Sequence, residues 1–148
     1  MSLRKELLKS KTIFIDTAPI IYYIQAHQQF GHLAMEVVNA FQSGKVSAFS
    51  SVITIVEVLV KPIEVKDEKL AKKFTDFLKH GKNLLLLEIS MDIAEGAGRL
   101  RGIYPNIRAL DAIQIAAAID VGADTFITND KKLEQIKEIK VLILKDYL

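Results

Sequence analysis

The chain of 148 residues is 50% hydrophobic and 26% charged, a balance that fits one globular domain with a sizeable core and excludes a disordered or low-complexity protein. It contains no cysteine, which excludes disulfides, thiolate metal sites and a cysteine nucleophile and suits a reducing cytoplasm. A net charge of +2 is too small to announce a nucleic-acid partner by its field alone.

Arg4, Lys5, Lys9 and Lys11 precede an apolar stretch, as in a secretory leader, but Asp16 interrupts that stretch and no small-residue cleavage pattern follows. No uncharged run approaches the ~20 residues of a membrane span. The expectation is a soluble, cytoplasmic protein with no membrane contact. Thr12–Ile15 is the first of five short apolar runs that read as strands. Pro19 suits the first turn of a helix running to about Gln25, with Thr17 or Ala18 near its cap. His32 to Phe41 repeats apolar residues at helical spacing and ends before Gly44, and Val46–Phe49 is the second strand.

Val52-Ile53-Thr54-Ile55-Val56 is β-branched throughout, so local propensity favours a strand there. Ser50 or Ser51 could instead cap a buried helix ending near Pro62. Asp67 to His80 sets Leu70, Phe74, Phe77 and Leu78 on one helical face and lysines on the other, ending at Gly81. Leu84–Glu88 is a third strand, Met91–Leu100 and Ala109–Val121 are helices, and Thr125–Thr128 and Val141–Leu144 are the last two strands. Continuous apolar strands are covered on both faces, and their alternation with helices predicts a single α/β domain over 1–148 with a largely parallel sheet.

In such sheets, sites form beyond the carboxyl ends of the strands. Asp16 directly follows the first strand, Asp130 comes just after the fourth, and Asp111 starts the helix that feeds the fourth. Each also has a local structural explanation: Asp16 and Asp130 as helix caps, Asp111 as a first-turn acid favoured by the helix dipole. Glu57 is different, because it is the only charged residue from Val46 to Val60. Burying an ionised carboxylate there requires a cation or hydrogen bonds in compensation. Four acids with no obvious set of basic partners in their own segments, and no cysteine, suit an oxygen-ligated Mg²⁺ or Mn²⁺ rather than Zn²⁺. A divalent ion held by carboxylates is a common apparatus for phosphodiester hydrolysis.

In order, "IFIDTAPIIYYI", "SSVITIVEVLV" and "LDAIQIAAAIDVGADTFITND" resemble the signature segments of the PIN-domain family, above all the VapC-type ribonuclease toxins of prokaryotic toxin–antitoxin pairs. The likeness runs from Thr12 to about Leu144. It implies a three-layer α/β/α fold around a five-stranded parallel sheet, with Ser51–Val60 a helix that carries Glu57 into the site, against its strand propensity. It also implies that Asp16, Glu57, Asp111 and Asp130 bind one or two Mg²⁺ or Mn²⁺ ions. Thr128 takes the small hydroxyl position beside the last acid and Asn129 the adjoining polar one. The implied activity is endonucleolytic hydrolysis of RNA, leaving a 3′-hydroxyl and a 5′-phosphate. Asp16, Glu57 and Asp111 would hold the principal ion, and Asp130 would orient water or help a second ion. The family further implies a homodimer and a small antitoxin partner.

Arg99, Arg101 and Arg108, ahead of Asp111, and Lys131 and Lys132, after Asp130, are candidate RNA contacts, weighed against a solvated basic face. Tyr22 and Tyr23 could stack bases or pack in the core. A haloacid-dehalogenase-like site would need a second Asp where Ala18 stands, and a Rossmann dinucleotide site would need glycines that "DTAPI" lacks. The alternative of a different class is a non-catalytic PIN-like module that binds RNA or protein.

Overall fold

The computed structural model describes residues 2–148. Five strands, β1 (Thr12–Ile15), β2 (Ser47–Ser51), β3 (Leu84–Leu87), β4 (Thr125–Thr128) and β5 (Lys140–Ile143), form one sheet in the order β3-β2-β1-β4-β5 with every neighbouring pair parallel. Two of these strands keep the boundaries expected from the sequence, and the others shift by one or two residues.

Parallel strands need crossovers, and helices supply them. Between β1 and β2 lie α2 (Thr17–Ile24) and α3 (Gly31–Gln42), preceded by an N-terminal α1 (Leu3–Leu7). Between β2 and β3 lie α4 (Val52–Glu64) and α5 (Glu68–His80); between β3 and β4 lie α6 (Met91–Ile103) and α7 (Ala109–Val121). The α7 helix stops at Gly122, whose φ of 76° is a left-handed conformation that glycine adopts without steric penalty.

Period-two alternation in β1 sends Ile13 and Ile15 into a core shared with α1, α2, α3, α4 and α5, and Phe14 into a second core with α6 and α7. Phe14 stacks on Phe126 of β4, its neighbour in register, with ring centroids 5.5 Å apart. These side chains are fully buried, each stabilising the fold by about 1.5–3 kcal/mol. Two helical layers on one central sheet give the three-layer α/β/α architecture.

The β-branched segment is helical. Ser51 accepts the N–H of Ile53 at 3.2 Å and caps α4, whose buried residues Thr54, Val58 and Pro62 recur every fourth position. Tertiary burial of that face overrides strand propensity, and Val56, Val60 and Ile63 are left exposed. The cap of α2 is Asp16, as its local reading allowed, rather than Thr17 or Ala18, which are the first two helical residues.

β1 is the strand at which chain order reverses, since β2 and β3 extend from one edge of it and β4 and β5 from the other. The carboxyl ends of β1 and β4 therefore diverge into a crevice. Asp16 and Thr128 stand side by side there, hydrogen-bonded at 2.8 Å.

Candidate active site

A cleft of ≈ 460 Å³ opens at this point, lined by Asp16, Glu57, Asp111 and Asp130 together with Thr17, Tyr22, Arg108, Thr128 and Asn129. Four separate elements deliver the acids. Asp16 is the cap of α2, Glu57 projects from the middle of α4, Asp111 lies in the first turn of α7, and Asp130 caps the 3-10 segment Lys131–Gln135. Asp16 and Asp130 each cap a helical segment and line the cleft as well.

Asp16 is buried. Its Oδ1 accepts the backbone N–H of Thr17 at 2.9 Å and its Oδ2 accepts the Thr128 hydroxyl at 2.8 Å. Thr128 is itself fully buried and accepts the N–H of Asp130 at 3.1 Å, so one hydroxyl spaces the first acid from the last. Burial pushes the Asp16 carboxyl up to about 6, and the negative charges of Asp111 and Glu57 add to the rise, although its two hydrogen bonds act against it. At about 6 the carboxyl is still largely ionised at neutral pH, and a cation beside it would favour the charged form further.

Glu57 accepts the Thr17 hydroxyl at 2.6 Å. Asp111 is claimed by Arg108, which sends Nε–H to Oδ2 at 2.9 Å and Nη2–H to Oδ1 at 3.1 Å, and whose Nη2 lies 4.0 Å from Glu57 Oε2. Asp130 accepts the N–H of Lys132 at 3.0 Å. Each acid is thus tied to a protein donor, and among the described residues no three His, Asp or Glu side chains are grouped closely enough to share one ion in this arrangement. The donor chemistry nevertheless fits a hard divalent cation, being all oxygen, largely desolvated and mutually repulsive.

Beneath the acids lies a polar cluster that sequence reasoning missed. Gln114, fully buried, accepts the Ser51 hydroxyl at Oε1 and donates Nε2–H to Thr54 at 2.8 Å, with Thr17 at 3.5 Å. Ser50 donates to the Ile15 carbonyl at 2.9 Å and lies 2.9 Å from the Thr54 hydroxyl. Because Thr17 receives from below, its own proton is directed at Glu57, holding that side chain as an acceptor. The signal was available: Gln114 is the sole polar residue in "AIQIAAAI", three positions after Asp111 and so on the same helical face.

The remaining expected residues are dispersed. Only Arg108 of the three arginines lines the cleft; Arg99 pairs with Glu95 at 3.3 Å, and Arg101 braces the loop after α6 through the Ile107 carbonyl at 3.0 Å. Asn129 lines the cleft, donating to the Tyr22 hydroxyl at 3.1 Å and accepting the N–H of Lys145 at 2.8 Å. Tyr22 is wedged against His27 and Phe30, whereas Tyr23 packs on Phe77, away from the cleft. Lys131 pairs with Glu134 and Asp146. No described helix is long and apolar enough to cross a membrane.

A profile of the PIN domain matches residues 13–139. No match was found among curated proteins. Among solved structures, the chain is similar to that of VapBC2 from Rickettsia felis bound to a fragment of its promoter DNA, at 20% identity and a TM-score of 0.70, covering 89% of this chain and 98% of the other. It is similar to a toxin–antitoxin complex from Klebsiella pneumoniae, at 24% identity and 0.66, covering 89% and 97%. It also resembles VapC20 of Mycobacterium tuberculosis, a toxin that cleaves the sarcin–ricin loop, at 16% identity and 0.62, covering 77% and 86%.

Proposed function

The chain belongs to the PIN-domain family, and from that premise we propose that it is a metal-dependent endoribonuclease, the toxin of a toxin–antitoxin pair. The observation that carries this reading is the convergence of Asp16, Glu57, Asp111 and Asp130 from four elements on one cleft at the switch point of the sheet. The structural likeness to toxins solved in complex with antitoxins supports a small antitoxin as partner, and a homodimer is the assembly we expect.

Asp16, Glu57 and Asp111 would hold Mg²⁺ or Mn²⁺, with Asp130 at the margin orienting water or a second ion. Bound there, the ion supplies Lewis-acid chemistry, activating water and neutralising charge on the scissile phosphate. The chain's own residues do the positioning. Thr128 keeps one oxygen of Asp16 fixed, Thr17 fixes Glu57, and the dry base of the cleft strengthens each of these contacts. Water adds to phosphorus as the bond to the 3′ oxygen breaks, leaving a 3′-hydroxyl and a 5′-phosphate. Arg108 and Asn129 are the cleft residues suited to contacting the RNA backbone.

RNA cleavage in Mg²⁺ or Mn²⁺ by the wild type, Asp16→Asn and Glu57→Gln tests this reading. Cleavage by the wild type and a loss of at least about 100-fold in each variant is the expected result. Inactive wild type, or variants as active as wild type, would refute it. Tight RNA binding without cleavage would favour the non-catalytic binding module.

A further inference from the structure

Arg108 is the one basic side chain among the residues that line the cleft, and its position relative to the acids is unusual. It is the residue before α7, yet its side chain makes no capping bond and instead runs forward to Asp111, three residues on, taking both carboxylate oxygens. Its guanidinium also faces Glu57 at 4.0 Å. The Arg108 side chain is 66% exposed, whereas the Asp111 side chain it covers is 8% exposed and that of Glu57 20%. The charge sits at the mouth, over the carboxylates, where it can leave for solvent without disturbing the core.

Building on the metal-site reading, we propose that Arg108 serves two acidic ligands in turn. It is the counter-ion of Asp111 while the site lacks a divalent ion, and it engages an RNA phosphate once the ion takes Asp111. The planar guanidinium matches carboxylate and phosphate equally well, with the same pair of parallel N–H bonds. The Asp111 oxygens cannot be fully given to both partners, so Arg108 and the ion compete. The competition accounts for the two observations that otherwise conflict: four acids share a cleft, yet no three are gathered around a common point. It also assigns Arg108 opposite effects on the two ligands, weakening the ion's binding in free protein and strengthening RNA binding in loaded protein.

The test is a calorimetric titration of RNA-free protein with Mn²⁺, using wild type, Arg108→Ala, Arg108→Lys and the charge control Lys132→Ala. Lys132 is exposed and follows Asp130 closely, but makes no side-chain bond to a cleft acid. Arg108→Ala is expected to bind Mn²⁺ about tenfold tighter than wild type, because a two-bond charged contact no longer opposes it. Arg108→Lys should fall between, and Lys132→Ala should differ from wild type by less than about twofold, its charge being screened by solvent. At saturating Mn²⁺, Arg108→Ala should raise KM for RNA. Unchanged or weaker Mn²⁺ binding in Arg108→Ala, an equal tightening in Lys132→Ala, or an unchanged KM would overturn the proposal alone. Failure of every protein, wild type included, to bind Mn²⁺ would overturn the metal-site reading and this proposal together.

Discussion

Asp124 and Asp16 sit at opposite ends of the same two adjacent strands, and their surroundings act on them in opposite directions. Asp124, just before β4, accepts the N–H of Lys11 at 2.8 Å and of Thr12 at 3.2 Å, and these bonds hold its carboxyl below the usual aspartate range. It is exposed and ties β1 to β4 at their amino ends. Asp16, just after β1, is buried, and desolvation pushes its carboxyl up to about 6. A carboxylate that backbone donors satisfy stabilises the fold. One that is desolvated beside like charges opposes folding, a cost that the proposed cation site would account for.

The largest expected difference between the two is in activity. Asp16→Asn should reduce RNA cleavage by at least about 100-fold, and Asp124→Asn should leave it within about twofold of wild type. Comparable losses in both, measured on folded protein, would erase the distinction drawn between the two ends of the sheet.

Stability should move the other way, with opposite pH dependence. The Asp16 carboxyl lies above its ordinary value of 3.8, so the folded state binds its proton more tightly. Its contribution is favourable below about pH 4 and is lost as pH rises through about 6. In metal-free protein, Asp16→Asn is therefore expected to gain up to about 3 kcal/mol at pH 8 relative to wild type and nothing near pH 4. Asp124 is lowered, so its contribution is present above 3.8 and lost as pH falls through its folded value. Denaturant melts of both variants across pH 3.5–8 would show whether the two curves diverge in these directions.

Beneath Asp16, Gln114→Leu should cost about 1–3 kcal/mol, because Ser51 loses its acceptor and Thr54 a donor in a dry environment. Thr17→Ser should keep near-wild-type cleavage and Thr17→Val should not, since only the former retains the proton aimed at Glu57. Equal activity in the two would reduce that hydroxyl to packing. The smallest effect is expected at the other end, where Asp124→Ala should lower unfolding free energy by about 1 kcal/mol, the modest value of bonds that water also reaches.

The fold was legible because its signals are local and repeated. Strand runs such as Thr12–Ile15 and Thr125–Thr128 are short and continuous, and Gly122 marks the end of α7. The α4 segment was not legible locally, since Val, Ile and Thr score as strand formers whether or not a buried face awaits them. The family resemblance supplied what propensity lacked. Glu57 stood out by its isolation in an apolar run, and Gln114 carries the same signal in weaker form. Contacts that depend on distance in the chain could not be read: Thr128 reaches Asp16 across 112 positions, and Gln114 reaches Thr54 across 60. The engagement of Arg108 with Asp111 is a three-residue helical spacing, readable in principle, but choosing it over an RNA contact required the geometry.

The central claim is that the acids at the carboxyl end of the sheet form one divalent-ion site that cleaves RNA. Mn²⁺ binding and RNA cleavage measured side by side on wild type, Asp16→Asn and Asp124→Asn test it most directly. Wild type and Asp124→Asn should bind the ion and cleave, and Asp16→Asn should lose both together. Cleavage that survives in Asp16→Asn, or that proceeds in wild type with all divalent ions chelated, would contradict the account.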